Sequence, residues 1–244
     1  MMHGLSKYDA MKLRLHAIEL LRLLKRNLSY RELSQITGIS ESVLCRYVKG
    51  QTVPSLEHAV RIVRSIRERF SISGLLASRI KSLNDGYIDI SGITSDPVLL
   101  KLAAHYAVAK LAGRRITKIL TPEANGIPFA TLIASLLEVP LVVARRSKES
   151  PYEDYIEAIV AEPSLRATIT YYVPRRLIGR RDSVLIVDDL VQSGRTIKAL
   201  ATSIARVGAQ VAGVVALVAV GEQRSSVPQP FIPLLRLTKH HMIP

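Results

Sequence analysis

Four aliphatic residues, Val184-Leu185-Ile186-Val187, run without a break into two adjacent carboxylates, Asp188-Asp189, and on through Leu190-Val191 into Gln192-Ser193-Gly194-Arg195-Thr196. An apolar run of this length closed by turn residues reads as a strand buried inside a parallel sheet. Two neighbouring acids on such a strand are costly unless something satisfies them. The small residues that follow make a turn, and the turn opens a helix whose first N–H groups lack intrahelical partners. Those groups and two hydroxyls suit a phosphate, while the carboxylates can accept hydrogen bonds from a sugar diol. A plain strand-to-helix turn with acids capping the helix is the competing interpretation.

Further β-rich apolar runs lie at Ile116–Thr121, Pro140–Ala144 and Val211–Val220, separated by helical stretches at Pro97–Ala112, Ile127–Leu137 and Thr196–Val207. Strand alternating with helix predicts an α/β fold with a doubly wound parallel sheet. Ligands of such sheets bind beyond the carboxyl ends of the strands, which directs attention to the loops after Leu120, Ala144 and Val187. Before residue 70 the chain has short amphipathic helices and almost no β-branched runs. We therefore expect two domains, a helical one over residues 1–70 and an α/β one over 71–244, joined where Ser71, Ser73 and Gly74 interrupt the helical period.

In the helical part, Leu13, Ala17, Leu20, Leu21 and Leu24 recur at helical spacing within Lys12–Lys25. Ser29-Tyr30-Arg31-Glu32 is a capping-box pattern opening a second helix, and Thr37-Gly38 closes it. Ser40 is placed to cap a third. Leu33, Ile36, Ile39, Val43 and Leu44 fall where the two helices meet, which is helix-turn-helix geometry. With Arg46-Tyr47-Val48-Lys49-Gly50, the Val53-Pro54-Ser55 loop and a fourth helix over Leu56–Arg69, residues 10–69 resemble the Cro and phage-repressor family. The resemblance implies that the third helix enters the major groove of double-stranded DNA, with Ser40, Glu41, Ser42, Cys45 and Arg46 toward bases or phosphates and Lys49 and Gln51 near the backbone. Glu41 repels phosphates but can accept from cytosine N4.

The Val184–Thr196 segment resembles the phosphoribosyl pyrophosphate signature of the type I phosphoribosyltransferases. By that resemblance Asp188 and Asp189 hold the ribose hydroxyls, together with Mg²⁺ on the ligand, and Gln192, Ser193, Gly194, Arg195 and Thr196 cradle the 5′-phosphate. Arg195 stands where many members have glycine; the hypoxanthine-guanine enzymes and the pyrimidine attenuation regulators also carry a basic residue there. Ile119–Pro128 is similar to the pyrophosphate loop of the adenine and xanthine branches, which marks Glu123, Ala124, Asn125 and Gly126. Arg145 and Arg146, in the basic cluster Ala144-Arg145-Arg146-Ser147-Lys148, occupy the position of further pyrophosphate ligands. Adenine-type enzymes usually carry arginine where Asn125 stands, which weakens the grip on a departing pyrophosphate and puts catalysis in doubt.

The same resemblance makes Glu149–Arg176 the counterpart of a mobile catalytic lid, with phosphate-compatible Arg166, Thr168, Tyr171, Tyr172, Arg175 and Arg176. It makes Tyr87–Asp96 and Gly221–Leu237 the parts that enclose a base, with purine weakly favoured over pyrimidine.

Charge agrees with a polyanionic partner. The chain carries a net charge of +14, and its first 70 residues hold 13 Lys+Arg against 6 Asp+Glu, about twice the charge density of the rest. One cysteine, Cys45, excludes an intrachain disulfide framework. No apolar run approaches the length of a membrane span and no secretory signal pattern opens the chain, so we expect a cytoplasmic protein without a membrane partner.

Three functions fit these features. The first is a homodimeric DNA-binding regulator that senses phosphoribosyl pyrophosphate, together with a purine base or nucleotide. The second is a catalytically active purine phosphoribosyltransferase with an appended helical domain. The third, an RNA-binding attenuator, lacks the exposed aromatic pattern of single-strand RNA platforms.

Overall fold

The computed structural model describes residues 5–82, 87–162, 167–221 and 227–238. The chain divides into two compact units, Met1–Ser71 and Ile72–Pro244.

Among the described residues four helices build the first unit: α1 (Lys7–Lys25), α2 (Tyr30–Thr37), α3 (Glu41–Val48) and α4 (Leu56–Arg69). α1 starts five residues before the expected Lys12, because the Ser6 hydroxyl accepts the Asp9 N–H at 3.0 Å and caps an extra turn. At α2 both halves of the capping box form: Glu32 N–H donates to Ser29 Oγ, and Ser29 N–H donates to Glu32 Oε2 at 2.7 Å. Gly38 ends α2 at φ 66°, a left-handed conformation that glycine adopts without steric cost. Ser40 occupies the N-cap of α3, but its hydroxyl makes no capping bond and lies 3.4 Å from Ser42 Oγ, contrary to the cap expected there.

Leu21 and Leu24 of α1, Leu33 of α2, Leu44 of α3 and Ile62 of α4 are fully buried, each contributing roughly 1.5–3 kcal/mol. Ile36 and Val43 are only half-buried. Four arginines brace the helix ends and loops. Arg61 donates to the carbonyls of Thr37 and Gly38, Arg69 to Ile36, Arg22 to Val48 and Arg14 to Pro54. Part of the charge density of this unit thus satisfies carbonyls that helices leave without partners.

The second unit opens with α5 (Ser73–Ala77), a two-stranded antiparallel pair of β1 (Lys81–Ser82) and β2 (Ile88–Asp89), and α6 (Ser91–Thr94). The helix α7 (Pro97–Lys110) follows, capped by Asp96, whose carboxylate accepts the N–H groups of Val98 and Leu99. Then come β3 (Lys118–Pro122), α8 (Ile127–Leu137), β4 (Leu141–Ala144), the hairpin β5 (Tyr155–Glu162) and β6 (Ala167–Pro174), β7 (Ser183–Val191), α9 (Arg195–Arg206), β8 (Gln210–Val220) and β9 (Phe231–Leu237).

Five strands form one parallel sheet in the order β4-β3-β7-β8-β9. Its centre is buried on both faces: Ser183 to Asp188 of β7 and Gly213 to Val220 of β8 are buried without interruption, the pattern of parallel strands covered on both sides. After β3 the chain winds outward through α8 to β4, then returns past β3 to lay down β7 on the other side. The direction of winding therefore reverses between β3 and β7.

Two segments differ from expectation. The expected lid region Glu149–Arg176 contains the β5–β6 hairpin, in register from Tyr155↔Pro174 to Glu162↔Ala167. The expected base-enclosing tail carries β9, a parallel edge strand paired to β8 from Val214↔Phe231 to Val220↔Leu237. Pro233, which lacks a backbone N–H, interrupts its apolar run and obscured the strand. Arg166 and residues 222–226 of that tail lie outside the described residues.

Candidate functional site

Leu120 of β3 pairs with Ile186 of β7, two residues before the strands reach Pro122 and Asp188. The carboxyl ends of both strands thus lie at the switch point, where open α/β sheets bind ligands. β7 extends beyond the expected Val187: Asp188 pairs with Ala216, and Leu190 and Val191 continue the ladder with Val218 and Ala219. The acid pair is therefore held inside a strand and fixed by sheet hydrogen bonds rather than carried on a turn.

Asp188 is 8% exposed, and its Oδ1 accepts the backbone N–H of Asp189 at 2.9 Å. Burial first, and then the neighbouring Asp189 charge, push its carboxyl well above the ordinary carboxylate range. Asp189, one residue on, points to the opposite face of the strand and is half-buried.

The loop after β3 comes into contact with this acid. A Cβ added to Gly126 would lie 2.8 Å from Thr121 Oγ1, 3.3 Å from Asp188 Oδ1 and 3.4 Å from Asp188 Cα, so only glycine lets this loop approach the ends of β3 and β7 this closely. Thr121 is fully buried at the end of β3. Sequence reasoning did not single it out; a hydroxyl within an otherwise apolar strand was the available signal. Ala124 and Asn125 are exposed in the same loop, and the Glu123–Ala124 peptide bond is cis.

Glu123 turns its carboxylate to the loop after β4, accepting the Arg146 N–H at 2.7 Å. Arg145 exchanges two backbone hydrogen bonds with Tyr172 of β6, which ties the hairpin to the end of β4. The Arg145 side chain pairs with Glu149 at 2.6 Å, while the Arg146 guanidinium lies 5.9 Å from the centre of the Tyr171 ring. Lys148 lies over Tyr172 and Tyr155 and pairs with Glu157 at 3.0 Å. Several phosphate-compatible groups of the expected lid are buried or otherwise engaged. Tyr171 is buried, Arg175 donates to Ile178 O, and Arg176 Nε lies 2.5 Å from Glu153.

Beyond β7, Gln192 and Ser193 are exposed, and Gly194 at φ 73° sets the start of α9 at Arg195. The start of this helix, which carries partial positive charge, follows a short turn after the acid pair in the chain. A buried and a half-buried acid, a glycine loop, exposed arginines and a helix N-terminus offer acceptors for hydroxyls and donors for phosphates.

In the first unit, Glu41, Ser42, Cys45, Arg46 and Lys49 follow one stripe of α3 and its C-cap, while Leu44 and Tyr47 are buried on the other side. Ser40, Glu41, Ser42, Arg46, Lys49 and Gln51 are exposed. Cys45 is half-buried; burial first, and then the neighbouring Cys45 thiol, raise the phenol of Tyr30 above its ordinary value. Tyr47 hydrogen-bonds His58 at 2.7 Å and fixes α3 on α4.

Comparison with known proteins agrees with both halves. Residues 90–237 match the phosphoribosyl transferase domain family, and residues 18–70 match a helix-turn-helix family. Xanthine phosphoribosyltransferase of Ectopseudomonas mendocina is 33% identical over 120 residues, covering 49% of this chain and 63% of that protein. The enzyme of the same name from Heliobacterium modesticaldum is 30% identical over 118 residues, 48% of this chain and 63% of its own length. The match thus spans less than two thirds of these relatives. Adenine phosphoribosyltransferase of Rhodothermus marinus superposes with a TM-score of 0.61 at 24% identity, covering 68% of this chain and 98% of that one. At these identities the superposition speaks for the fold.

Proposed function

Because this chain belongs to the phosphoribosyl transferase domain family and carries a helix-turn-helix ahead of that domain, we propose that it is a DNA-binding transcriptional regulator that senses phosphoribosyl pyrophosphate. The genes it controls are those of nucleotide metabolism, and it works as a cytoplasmic homodimer. One observation carries this reading: the same chain has an exposed stripe on α3 and, at the switch point of its sheet, an acid pair beside a glycine-tight loop, a setting suited to a sugar diol and a phosphate.

In this reading Asp188 and Asp189 accept the ribose hydroxyls, and Gln192 to Thr196 with the start of α9 take the 5′-phosphate. Residues 123–126 with Arg145 and Arg146 meet the pyrophosphate. Carboxylate oxygens are hard donors that suit Mg²⁺. The crowded, buried setting of Asp188 beside Asp189 fits a divalent cation brought in with the ligand. When bound, that cation supplies charge neutralisation on the pyrophosphate. The named relatives support a purine base or nucleotide as the second ligand.

Ser40, Glu41, Ser42, Cys45 and Arg46 face bases or phosphates, and Lys49 and Gln51 meet the DNA backbone. Two recognition helices must sit about 34 Å apart to read a palindrome, which makes the dimer the functional unit. Control requires that phosphoribosyl pyrophosphate bind the two states of that dimer unequally, since equal binding shifts nothing.

An active purine phosphoribosyltransferase is the second reading. The xanthine phosphoribosyltransferase relatives favour it, whereas the acid pair does not separate the two readings, since catalysis and sensing both need those contacts. Asn125 weighs against it, as a neutral amide grips a departing pyrophosphate less firmly than arginine. Fluorescence anisotropy of the full chain on its own upstream DNA, at fixed salt, with and without phosphoribosyl pyrophosphate and Mg²⁺, tests the sensor. A ligand-dependent change in affinity supports it. Specific binding that ignores the ligand, combined with turnover of adenine, guanine, hypoxanthine or xanthine, transfers the assignment to the enzyme.

A further inference from the structure

The edge of the parallel sheet opposite the ligand site is strongly basic. In a parallel sheet the segments that lead into β3, β7 and β8 all emerge at the amino edge. Here they carry Arg114 and Arg115 before β3, Arg180 and Arg181 before β7, and Arg206 before β8. All five are exposed. No ion pair joins any of them to a carboxylate among the described residues.

The acid nearest in sequence, Asp182, is spent internally. It accepts the Gly179 N–H at 2.8 Å and the Thr117 hydroxyl at 2.9 Å, and lies 3.5 Å from Lys118 Nζ. Although burial opposes this, those contacts hold its carboxyl below the ordinary range, so it remains charged and occupied.

These segments are fastened to one another. Ser183 Oγ donates to Arg115 O at 2.7 Å, Arg115 Nη1 donates to Arg181 O at 3.1 Å, and Gln210 N–H donates to Asp182 O at 2.9 Å. The aliphatic stem of Arg180 lies against Gly208, where an added Cβ would meet its Cγ at 2.9 Å. The arginines therefore stand on a connected edge rather than on independent loops. Concentrating like charge this way costs stability through self-repulsion unless an anion relieves it.

We propose that this amino edge is a phosphate-backbone contact surface for duplex DNA, additional to the α3 reading stripe. The proposal rests on the DNA-binding reading above and extends it to the second unit. Neighbouring strands lie about 4.8 Å apart, so the starts of β3, β7 and β8 span roughly 10 Å. One DNA strand presents a phosphate every 3.4 Å of helix axis, so this width faces about three of them. Guanidinium matches phosphate geometry better than ammonium does, and the cations here are arginines. A protein partner is less suited. None of the exposed large hydrophobic residues of the described chain lies on these segments, whereas protein interfaces have an apolar core.

The test is binding of the full chain to a 40-bp duplex of its own upstream sequence, from 50 to 200 mM salt. Wild type is compared with Arg114→Gln/Arg180→Gln/Arg181→Gln, with lysine at the same three positions, and with Arg46→Ala. Each phosphate contact adds about 0.9 to the slope of log affinity against log salt. The glutamine variant should lose up to about 2.7 of that slope, so that wild type falls about 40-fold further than the variant across this range. The lysine variant should retain most of the slope, and phosphoribosyl pyrophosphate binding should be unchanged in both. An unchanged slope in the glutamine variant, with Arg46→Ala still weakened, overturns the edge contact and leaves the α3 reading intact. A lysine variant that loses the slope as fully as glutamine makes the arginines structural and also overturns it. Absence of duplex binding by wild type overturns both.

Discussion

Replacing Asp188 with asparagine should stabilise the protein while weakening its ligand binding. In the folded chain the carboxyl is 8% exposed, sits beside Asp189 and has a raised pKa. The amide has nearly the same shape and keeps an oxygen to accept the Asp189 N–H, now made at 2.9 Å. What the substitution removes is a buried charge with a like-charged neighbour. A buried charged group short of partners costs about 1–3 kcal/mol, so Asp188→Asn should gain about that much at neutral pH. In a unit of some 170 residues this raises the melting temperature by roughly 2–12 °C.

The pH dependence has a definite sign. A carboxyl whose folded pKa is raised binds its proton more readily folded than unfolded, so it erodes wild-type stability as pH rises from about 3.8 through the folded value. The advantage of the variant should therefore grow as pH rises through the raised folded value, shrink on acidification and vanish below the ordinary carboxyl pKa. Ligand affinity should move the opposite way. Losing a charged acceptor of ribose hydroxyls costs about 1.5–3 kcal/mol, about 10- to 150-fold in affinity, and Asp188→Asn/Asp189→Asn should abolish binding of a still-folded protein. Calorimetric melts at several pH values and a phosphoribosyl pyrophosphate titration measure both. A variant that melts lower than wild type at neutral pH, or a gain that does not depend on pH, would refute the argument that Asp188 is buried at a cost. Normal ligand affinity in the double variant would refute the site.

Gly126→Ala should reduce phosphoribosyl pyrophosphate affinity at least tenfold, because its Cβ meets Thr121 and Asp188 at 2.8 and 3.3 Å and must push the loops apart; undiminished binding by titration would show that the close approach is immaterial. Arg46→Ala should weaken specific DNA binding by about 1–3 kcal/mol, read by anisotropy, as expected for a base-edge contact; equal affinity means another element reads the groove. Ser29→Ala should cost about 1 kcal/mol and speed hydrogen exchange along α2. The bonds from Ser29 hold the exposed Glu32 carboxyl below its ordinary value, so the contribution of Glu32 to the cap is present at neutral pH and lost as pH falls through that lowered value. Exchange in α2 that is indifferent to both changes would refute the role of the capping box.

Where local chemistry dictates structure, the sequence sufficed. The capping box at Ser29, the left-handed Gly38 and the strand, acids and helix of Ser183–Arg206 are each decided within a few residues, and each was legible before any coordinates. Elements whose identity depends on a distant partner were not. The β5–β6 hairpin alternates too weakly to identify itself and exists because its strands pair and dock through Arg145 and Tyr172. Strand β9 is a strand because β8 offers it an edge. Which arginines brace carbonyls and which face solvent likewise depends on what lies across the fold, since a guanidinium carries the same charge in either role.

Composition, periodicity and motif spacing by themselves determined a helix-turn-helix followed by a parallel α/β domain, and marked Asp188 and Asp189 as the pair to explain. Only the tertiary structure decided that Gly126 touches Asp188, that Glu123 holds the Arg146 backbone, and that five arginines share one edge of the sheet. The division is physical. Turns, caps and periodicity act over a few residues, whereas the order of strands in a sheet sets which distant loops meet, and that order is chosen by burial of the whole sheet rather than by any segment within it.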